Sequence, residues 1–377
     1  MKVLFWISAA LLAWAQIGYG LFLAALRRLG APSFTPPRPD GTRPRVSLVV
    51  AAYREQSVIA DKIANALALD WPREALELIV AVDGGAEADA DLTAQRARAA
   101  GADIVLELPR LGKYRAQDTA VASATGELLA FSDANALWDR DALAQLAAVF
   151  RDPDVGYACG QVRFVNDAGT NQEGLYWRYD MWLRRNESAL ASVTAGNGAI
   201  YAVRPRDYAQ LEPGVGHDLA FPFHMVKRGR RAVYVPDARA VEKMVPTVEG
   251  EWARKRRMMT HAWPIIVRGG LLDPRGYPPL YALMIGSHRL LRYATPLLHL
   301  LVALATLALL PRGRTYAAAA AAQAALVAAA LAGGRVRARP LLLARYYVLT
   351  TAALAAGLFD WLRFGTEVGW ETPEGTR

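Results

Sequence analysis

The sequence predicts an α/β domain with a buried, largely parallel sheet, placed between apolar segments that associate with a membrane. Three apolar runs, 46–52, 78–82 and 128–131, are bounded by polar residues, which is typical of strands buried on both faces. A helical pattern at 59–69 separates the first two runs, and this strand–helix–strand order is typical of nucleotide-binding domains. The apolar excess is concentrated near the two ends of the chain, which predicts membrane helices there.

Residues 1–28 predict a transmembrane helix. Val3 to Leu26 is uncharged and apolar, long enough to cross a hydrocarbon core of roughly 30 Å. The alternative is a cleaved signal peptide, whose apolar region would be shorter and preceded by its basic residues. Here Arg27 and Arg28 follow the apolar run, so the positive-inside bias orients the next domain into the cytoplasm. Residues 29–44, rich in proline, then form a stiff linker.

Residues 271–377 predict interfacial and transmembrane helices. The stretch 280–293 mixes apolar residues with basic ones and is typical of a helix at the membrane interface; its basic residues are His288, Arg289 and Arg292.

The segments 294–310 and 316–332 are long enough to span a bilayer. The last apolar run, 341–364, carries three charges, which favours an interfacial helix with a cytoplasmic tail over a further span.

The composition argues against several classes of protein. A formal net charge of +9 over 377 residues would suit nucleic-acid binding. Much of the basic excess lies beside apolar segments, however, and no nucleic-acid-binding motif occurs. We therefore expect membrane lipids, and no nucleic acid, as partners. The only cysteine, Cys159, excludes an intrachain disulfide, and five scattered histidines argue against a structural zinc site.

The segment 113–138 predicts a site for a metal-bound diphosphate. Asp133 and Asn135 directly follow the apolar run 128–131, at the end of a strand where α/β sheets place ligand-binding side chains. Carboxylate and amide oxygens two residues apart suit a hard divalent cation. Lys113 supplies a positive charge ahead of the helical pattern that precedes this strand. The alternative for Asp133 is a helix cap, for which Asp139 and Asp141 are better placed.

The order of motifs resembles the family 2 (GT-A type) inverting glycosyltransferases, which use nucleotide sugars in bacterial polysaccharide synthesis. The matching stretches are 46–58, 78–89, 113–138, 195–205 and 216–238. The resemblance implies a GT-A, Rossmann-like glycosyltransferase domain over residues 45–270, with the transmembrane and interfacial helices on either side.

The resemblance also assigns the donor and metal residues. It implies that Asp83 and the loop containing Ala51, Tyr53 and Glu55 contact the nucleoside, and that Lys113 and Asp133 bind the diphosphate. A turn residue before glycines is the alternative for Asp83. Asp133 matches the first aspartate of the metal-binding DxD signature and Asn135 its second, which implies Mg²⁺ or Mn²⁺.

Asp218 matches the family's base carboxylate, which would take the proton from the acceptor hydroxyl. A cap for the following helix is the alternative, and both can hold at once. The acid that normally precedes the base is replaced by His217, which either lowers the pKa of Asp218 through a positive charge or has little effect. Gly196 and Asn197, in a Gly-Asn-Gly stretch, form either a close approach to the sugar or acceptor, or a plain turn.

A basic helix at 251–263 offers acceptor or phosphate contacts, and the residues concerned are Arg254, Arg256, Arg257 and Trp263. The alternative is a basic face against anionic lipid. Processive relatives carry a QxxRW motif here, and its absence argues against a polymerase.

Together these features predict a metal-dependent inverting glycosyltransferase in the bacterial inner membrane, with its catalytic domain in the cytoplasm. Its donor would be a nucleotide sugar, with a UDP-sugar favoured, and its acceptor a membrane-associated, lipid-linked glycan. The alternatives are a processive polysaccharide synthase that secretes its product, a polyprenyl-phosphate glycosyltransferase, and an inactive membrane protein that binds nucleotide sugar or polysaccharide.

Overall fold

The computed structural model describes residues 1–85, 91–165, 174–212, 215–243, 248–336 and 338–365. The end of the 78–89 motif and the predicted tail after residue 365 lie outside them. The described residues form one eight-stranded sheet. Its strands are β1 Val46–Ala52, β2 Leu76–Asp83, β3 Ile104–Leu108, β4 Leu128–Asp133, β5 Leu137–Trp138, β6 Val155–Val165, β7 Ile200–Val203 and β8 Arg231–Lys243.

The strand order is β3-β2-β1-β4-β7-β6-β8-β5. The first four strands are parallel, whereas β7 runs antiparallel to both β4 and β6. The register pairs Ala51 of β1 with Ala81 of β2 and with Asp133 of β4. The carboxyl ends of β1, β2 and β4 therefore meet at one edge, as the sequence predicts.

Helices cover both faces of the sheet. All seven residues of β1 are buried, which confirms a strand enclosed on both sides. The helices of the domain are α2 Ile59–Leu67, α3 Thr93–Ala99, α4 Lys113–Ala122, α5 Ala142–Ala148, α6 Gly174–Leu190, α7 His217–Lys227 and α8 Val248–Val267. Leu48 and Val50 pack in the core with α2 and α5, while Val49 packs in the core with α4 and α7.

Four helices are long and apolar enough to cross a membrane. They are α1 Lys2–Arg28, α10 Thr295–Arg312, α11 Arg314–Ala332 and α12 Arg339–Phe364. The first three match the predicted spans. The sequence favoured an interfacial position for α12, whose length and composition also meet the requirement for a span.

Helix α9, Pro279–Met284, continues through a π-helical turn, Ile285–Leu290, to Tyr293. Its basic residues were predicted to face a membrane surface. In the structure His288 and Arg289 are buried, and Arg292 pairs with Asp180 of α6 at 2.6 Å. These side chains therefore belong to a polar contact with the catalytic domain, because α6 presents carboxylates to them.

Helix α12 links the other apolar helices to the α/β domain. Near its start, the Tyr347 hydroxyl lies 2.7 Å from Nε2 of His299 on α10. Further along, Gly357 packs so closely on Met259 of α8 that a Cβ at position 357 would lie 2.5 Å from the Cβ of Met259. The active-site region and the apolar helices are thus joined through direct packing.

Candidate active site

A cavity of about 530 Å³ opens at the carboxyl edge of the parallel strands. Its walls come from α4, the start of α7, the end of β8, and helices α6, α8, α9 and α12. The volume is typical of sites for small molecules. We call it the catalytic cavity. The sequence-predicted residues that line it are Lys113, Asp133, Gly196, Asn197, Asp218, Arg254 and Arg257.

Asp133 ends β4, and Lys113 begins α4 opposite it. The Lys113 ammonium group forms an ion pair with Asp133 Oδ1. Burial opposes the charge on Lys113, but Asp133, Asp218 and Glu242 outweigh that effect and raise its pKa. A permanent cation therefore lies next to the carboxylate predicted to hold a metal and a diphosphate.

Glu242, close to the end of β8, is a site residue that the sequence analysis missed. It lines the catalytic cavity, and burial together with the charge of Asp133 raises its pKa to about 7. Behind the turn that follows Asp133, the buried Lys62 donates a hydrogen bond to the carbonyl of Ala136 at 2.7 Å, and burial lowers its pKa to about 7. The rule that identified Asp133, a carboxylate near a strand end, applies equally to Glu242.

Asp218 lies in the first turn of α7 and lines the cavity. The amide of Gly196 donates to its carbonyl oxygen at 2.6 Å. The absence of a side chain at Gly216 allows the Asp218 carboxylate and the Tyr114 hydroxyl to lie close to this residue. A Cβ there would lie 2.8 Å from Asp218 Oδ1 and 2.6 Å from the Tyr114 hydroxyl. Burial, and then the charges of Asp218 and Asp133, raise the pKa of Tyr114 well above its usual value. Tyr114 therefore remains a protonated phenol near the carboxylate of Asp218.

His217 is buried among aromatic rings next to Asp218. Its ring stacks on Phe221 with centroids 4.3 Å apart, and its Nδ1 lies 3.0 Å from the Tyr201 hydroxyl. Burial, and then the charge of Lys113, lower the pKa of His217 to about 3. The imidazole is therefore neutral at ordinary pH and places no positive charge beside Asp218.

The Gly-Asn-Gly stretch packs closely against residues that line the cavity or lie behind it. A Cβ at Gly196 would collide with the buried hydroxyl of Tyr157. A Cβ at Gly198 would lie 3.6 Å from Lys113 Nζ. The side-chain amide nitrogen of Asn197 is buried and has no hydrogen-bond partner among the described residues.

The residues predicted to contact the nucleoside lie together, buried at the carboxyl ends of β1 and β2: Ala51, Tyr53, Glu55 and Asp83. Asp83 Oδ1 accepts hydrogen bonds from the amides of Leu111 and Gly112 at 2.7 and 3.0 Å. The guanidinium of Arg110 lies 3.9 Å from the centre of the Tyr53 ring. The loop 110–112 therefore packs against this group, and none of the four lines the catalytic cavity as the structure describes it.

A model of the family described as "Glycosyltransferase like family 2" matches residues 44–260, more than half of the chain. The chain belongs to glycosyltransferase family 2. An N-acetylglucosaminyltransferase from Rhizobium meliloti (strain 1021) is 27% identical over 233 residues, which are 56% of this chain and 54% of that protein. A poly-beta-1,6-N-acetyl-D-glucosamine synthase from Staphylococcus aureus (strain COL) is 23% identical over 252 residues, which are 63% of this chain and 60% of that protein.

The chain thus spans little more than half the length of these relatives. Among solved structures, the mannosyltransferase PcManGT from Pyrobaculum calidifontis, in complex with GDP-Man and Mn²⁺, superimposes with a TM-score of 0.75 and 27% identity. That match covers 96% of this chain and 99% of the other. The predicted GT-A fold is confirmed for this glycosyltransferase, and so is its class as an enzyme.

Two of the residues predicted on the basic helix do not line the cavity of this glycosyltransferase. Arg256 forms a two-pronged ion pair with Asp360 of α12, with N–O distances of 2.5 and 2.6 Å. Trp263 packs between helices, 3.4 Å from the carbonyl of Leu354 and with its ring 6.0 Å from that of Tyr293. The structure therefore corrects the prediction: Arg256 and Trp263 join α8 to its neighbours, because their side of the helix faces away from the cavity.

The carboxylate oxygens at and near Asp133 fit a divalent cation. Two carboxylates, Asp133 and Glu242, line the same cavity, and the raised pKa of Glu242 reflects burial and repulsion that a cation would relieve. Asn135, the predicted second ligand, lies in the turn after β4 and does not line the cavity. In the described ranges, no group of three or more His, Cys, Asp or Glu residues could hold a metal. Substrate oxygens and water would complete the shell.

Proposed function

We propose that this glycosyltransferase is a membrane-anchored, metal-dependent, inverting enzyme that moves one sugar from a nucleotide donor to a hydroxyl of a membrane-associated acceptor. The observation that carries the proposal is the convergence of Lys113, Asp133, Asp218 and Glu242 on one cavity. Asp133 and Glu242 can hold a metal ion, and Lys113 supplies a fixed positive charge; both would bind a diphosphate. Asp218, a carboxylate that can accept a proton, lines the same cavity.

Asp218 is the proposed catalytic base. The acceptor hydroxyl oxygen attacks the anomeric carbon of the donor sugar, and its proton passes to the Asp218 carboxylate. The bond between that carbon and the diphosphate oxygen breaks on the opposite face, so the anomeric configuration inverts. Hydrogen bonding from Gly196 to the Asp218 backbone holds the base in position.

Asp133 and Glu242 are the proposed protein ligands of a divalent cation, either Mg²⁺ or Mn²⁺. When bound, the cation would neutralise charge on the departing diphosphate. Lys113 adds a second positive charge, and its raised pKa keeps its ammonium group charged at neutral pH. Mn²⁺ in the PcManGT complex supports a divalent cation.

Ala51, Tyr53, Glu55 and Asp83 remain the proposed nucleoside contacts, at the edge of the sheet next to Asp133. The loop 110–112 would shift to admit the base, because it now packs on Tyr53 and Asp83. The sequence favoured a UDP-sugar. GDP-Man in the PcManGT complex, which matches nearly the whole chain, gives GDP-sugars an equal place.

We place the catalytic domain in the cytoplasm at a bacterial inner membrane, with a lipid-linked acceptor. Support comes from the four apolar helices and from α12, which packs on both α8 and the apolar bundle. The Staphylococcus relative named as a polysaccharide synthase favours a second candidate, a processive polymerase. Against it, α8 lacks the QxxRW motif of processive relatives.

The test is nucleotide release by the purified chain with UDP-, GDP- and dTDP-sugars, Mn²⁺ or Mg²⁺, and membrane lipid extract as acceptor. Asp218→Asn should lower transfer roughly 10²- to 10⁴-fold while nucleotide binding remains. Asp133→Ala should abolish metal-dependent release. The matched control, Asp237→Asn on an exposed part of β8, should behave as wild type. Release by Asp218→Asn at the wild-type rate would exclude Asp218 as the base.

A further inference from the structure

A second group of charged side chains lies on the same cavity, where α1, α6 and α9 meet. We call it the α6–α9 polar cluster, and its members are Asp180, Arg184, Glu187, Thr194, His288, Arg289 and Arg292. The hydroxyl of Tyr19 on α1 donates to Glu187 at 2.6 Å, which ties the first apolar helix to it. Four of these residues, Asp180, Arg184, Arg289 and Arg292, line the catalytic cavity.

The two acids of the cluster are ionised. Burial opposes the charge on Asp180, yet Arg292, His288 and Arg184 outweigh it and hold its pKa well below the usual value. Burial likewise opposes the charge on Glu187, but His288 and Arg289 lower its pKa. Three guanidinium groups therefore face two carboxylates, so the described cluster carries at least one positive charge in excess.

Two of the guanidinium groups have donors without partners. Arg184 meets Asp180 at 3.7 Å and hydrogen-bonds to the buried Cys159 side chain, while its Nε and Nη1 have no oxygen or nitrogen acceptor in the described ranges. Arg289 Nε donates to Thr194 at 2.9 Å, but its Nη2 has none. Both residues are more than nine-tenths buried, with exposed fractions of 6% and 8%. Unsatisfied buried donors on a charged group are costly, so they point to a ligand that satisfies them.

We propose that Arg184 and Arg289 form a subsite for a phosphate-type anion carried by the acceptor. This inference rests on the proposed function, since it gives the acceptor of that reaction a charge. An anion with several acceptor oxygens would accept hydrogen bonds from these three nitrogens and offset the excess charge.

The position of the subsite favours an anion attached to a hydrocarbon chain. Apolar side chains of α8 and α12 line the same cavity, namely Met258, Ile265 and Leu354. Helix α12 also contacts α10, another of the four apolar helices, so this lining adjoins the predicted membrane segments. The acidic residues Asp133, Asp218 and Glu242 line the part formed by the strand ends and α7. An amphiphilic phosphate would thus find cations for its anion, apolar side chains for its hydrocarbon chain and the acidic residues of the reaction centre in one cavity.

The experiment is equilibrium binding to the detergent-solubilised full chain, with farnesyl phosphate, farnesol and inorganic phosphate as probes. The variants are Arg184→Gln and Arg289→Gln, with Arg184→Lys and Arg289→Lys to restore the charge. The matched control is Arg185→Gln, the next residue on α6, whose side chain is exposed. Binding of UDP and GDP with Mn²⁺, measured in the same samples, reports separately on folding and on the donor site. If the wild type binds neither nucleotide, that result counts against the proposed function and not against the subsite.

We expect farnesyl phosphate to bind the wild type and Arg185→Gln alike, and the two Gln variants roughly 10- to 100-fold more weakly. The Lys variants should recover part of this loss. If inorganic phosphate binds as tightly as farnesyl phosphate and is lost in the same variants, the subsite serves a free phosphate and the lipid-linked acceptor is refuted. Equal affinity for farnesol and farnesyl phosphate, or unchanged affinity in both Gln variants, overturns the subsite.

Discussion

Replacing Glu242 with glutamine should make the enzyme more stable at alkaline pH. The Glu242 carboxyl lines the cavity with Asp133, and its pKa is raised from 4.5 to about 7. In the folded state the charged form is disfavoured by burial and by Asp133, whereas the unfolded chain imposes neither. Glutamine resembles the protonated carboxyl and carries no charge at any pH.

The pKa difference sets the direction and size of the effect. A raised pKa contributes stability that is fully present below pH 4.5 and is lost as the pH rises through about 7. At about 1.4 kcal/mol for each pH unit between the two values, the wild type loses about 3 kcal/mol by pH 8.5. Glu242→Gln does not undergo this loss, so its Tm at pH 8.5 should exceed that of the wild type by roughly 6–12 °C.

The assay is thermal unfolding of both proteins in detergent at half-unit steps from pH 5 to 8.5. EDTA is present throughout, because a bound cation would stabilise the charged carboxylate. Glu74→Gln, at an exposed position, is the matched control and should follow the wild type. Only the difference between variant and wild type is used, since other groups titrate in both. Parallel curves for wild type and Glu242→Gln across this range would refute the assignment of a raised pKa to Glu242.

Three further predictions concern packing and acid stability. Gly196→Ala should abolish transfer and lower Tm because its Cβ meets a buried hydroxyl, whereas Gly286→Ala, whose Cβ meets nothing within 4 Å, should keep the wild-type Tm and rate. Gly357→Val should loosen α12 from α8, since even a Cβ would lie 2.5 Å from that of Met259; faster limited proteolysis of α12 would show this, and an unchanged pattern would contradict it. His217, with its pKa lowered from 6.5 to about 3, makes the wild type lose stability as the pH falls below 6.5. His217→Phe should lose less between pH 6.5 and pH 4 when the thermal-unfolding series is extended down to pH 4, and equal losses would disprove a buried neutral imidazole.

The fold class, the main strands and the edge that carries the site could all be predicted from the amino-acid sequence. Buried parallel strands appear as continuous apolar runs, and their carboxyl ends share one edge, so Asp83 and Asp133 could be assigned to that edge before any coordinates. Three of the four long apolar helices could also be predicted from the sequence, because length and apolar composition decide whether a helix can cross a membrane. Glu242 carries the same signal, because it is a carboxylate near the end of the last strand.

Which charged side chains contact one another depends on the tertiary structure. The helical repeat separates Arg256 and Trp263 from Arg254 and Arg257, but only the packing of α8 decides which side faces the cavity. The neutral state of His217 depends on rings that come from distant parts of the chain. The partners of His288, Arg289 and Arg292 depend likewise on carboxylates of α6, so a segment that suggested a lipid surface proved to be a buried polar contact. A pKa or an ion pair depends on burial and on neighbours a few ångströms away, and the chain brings those neighbours together only when it folds.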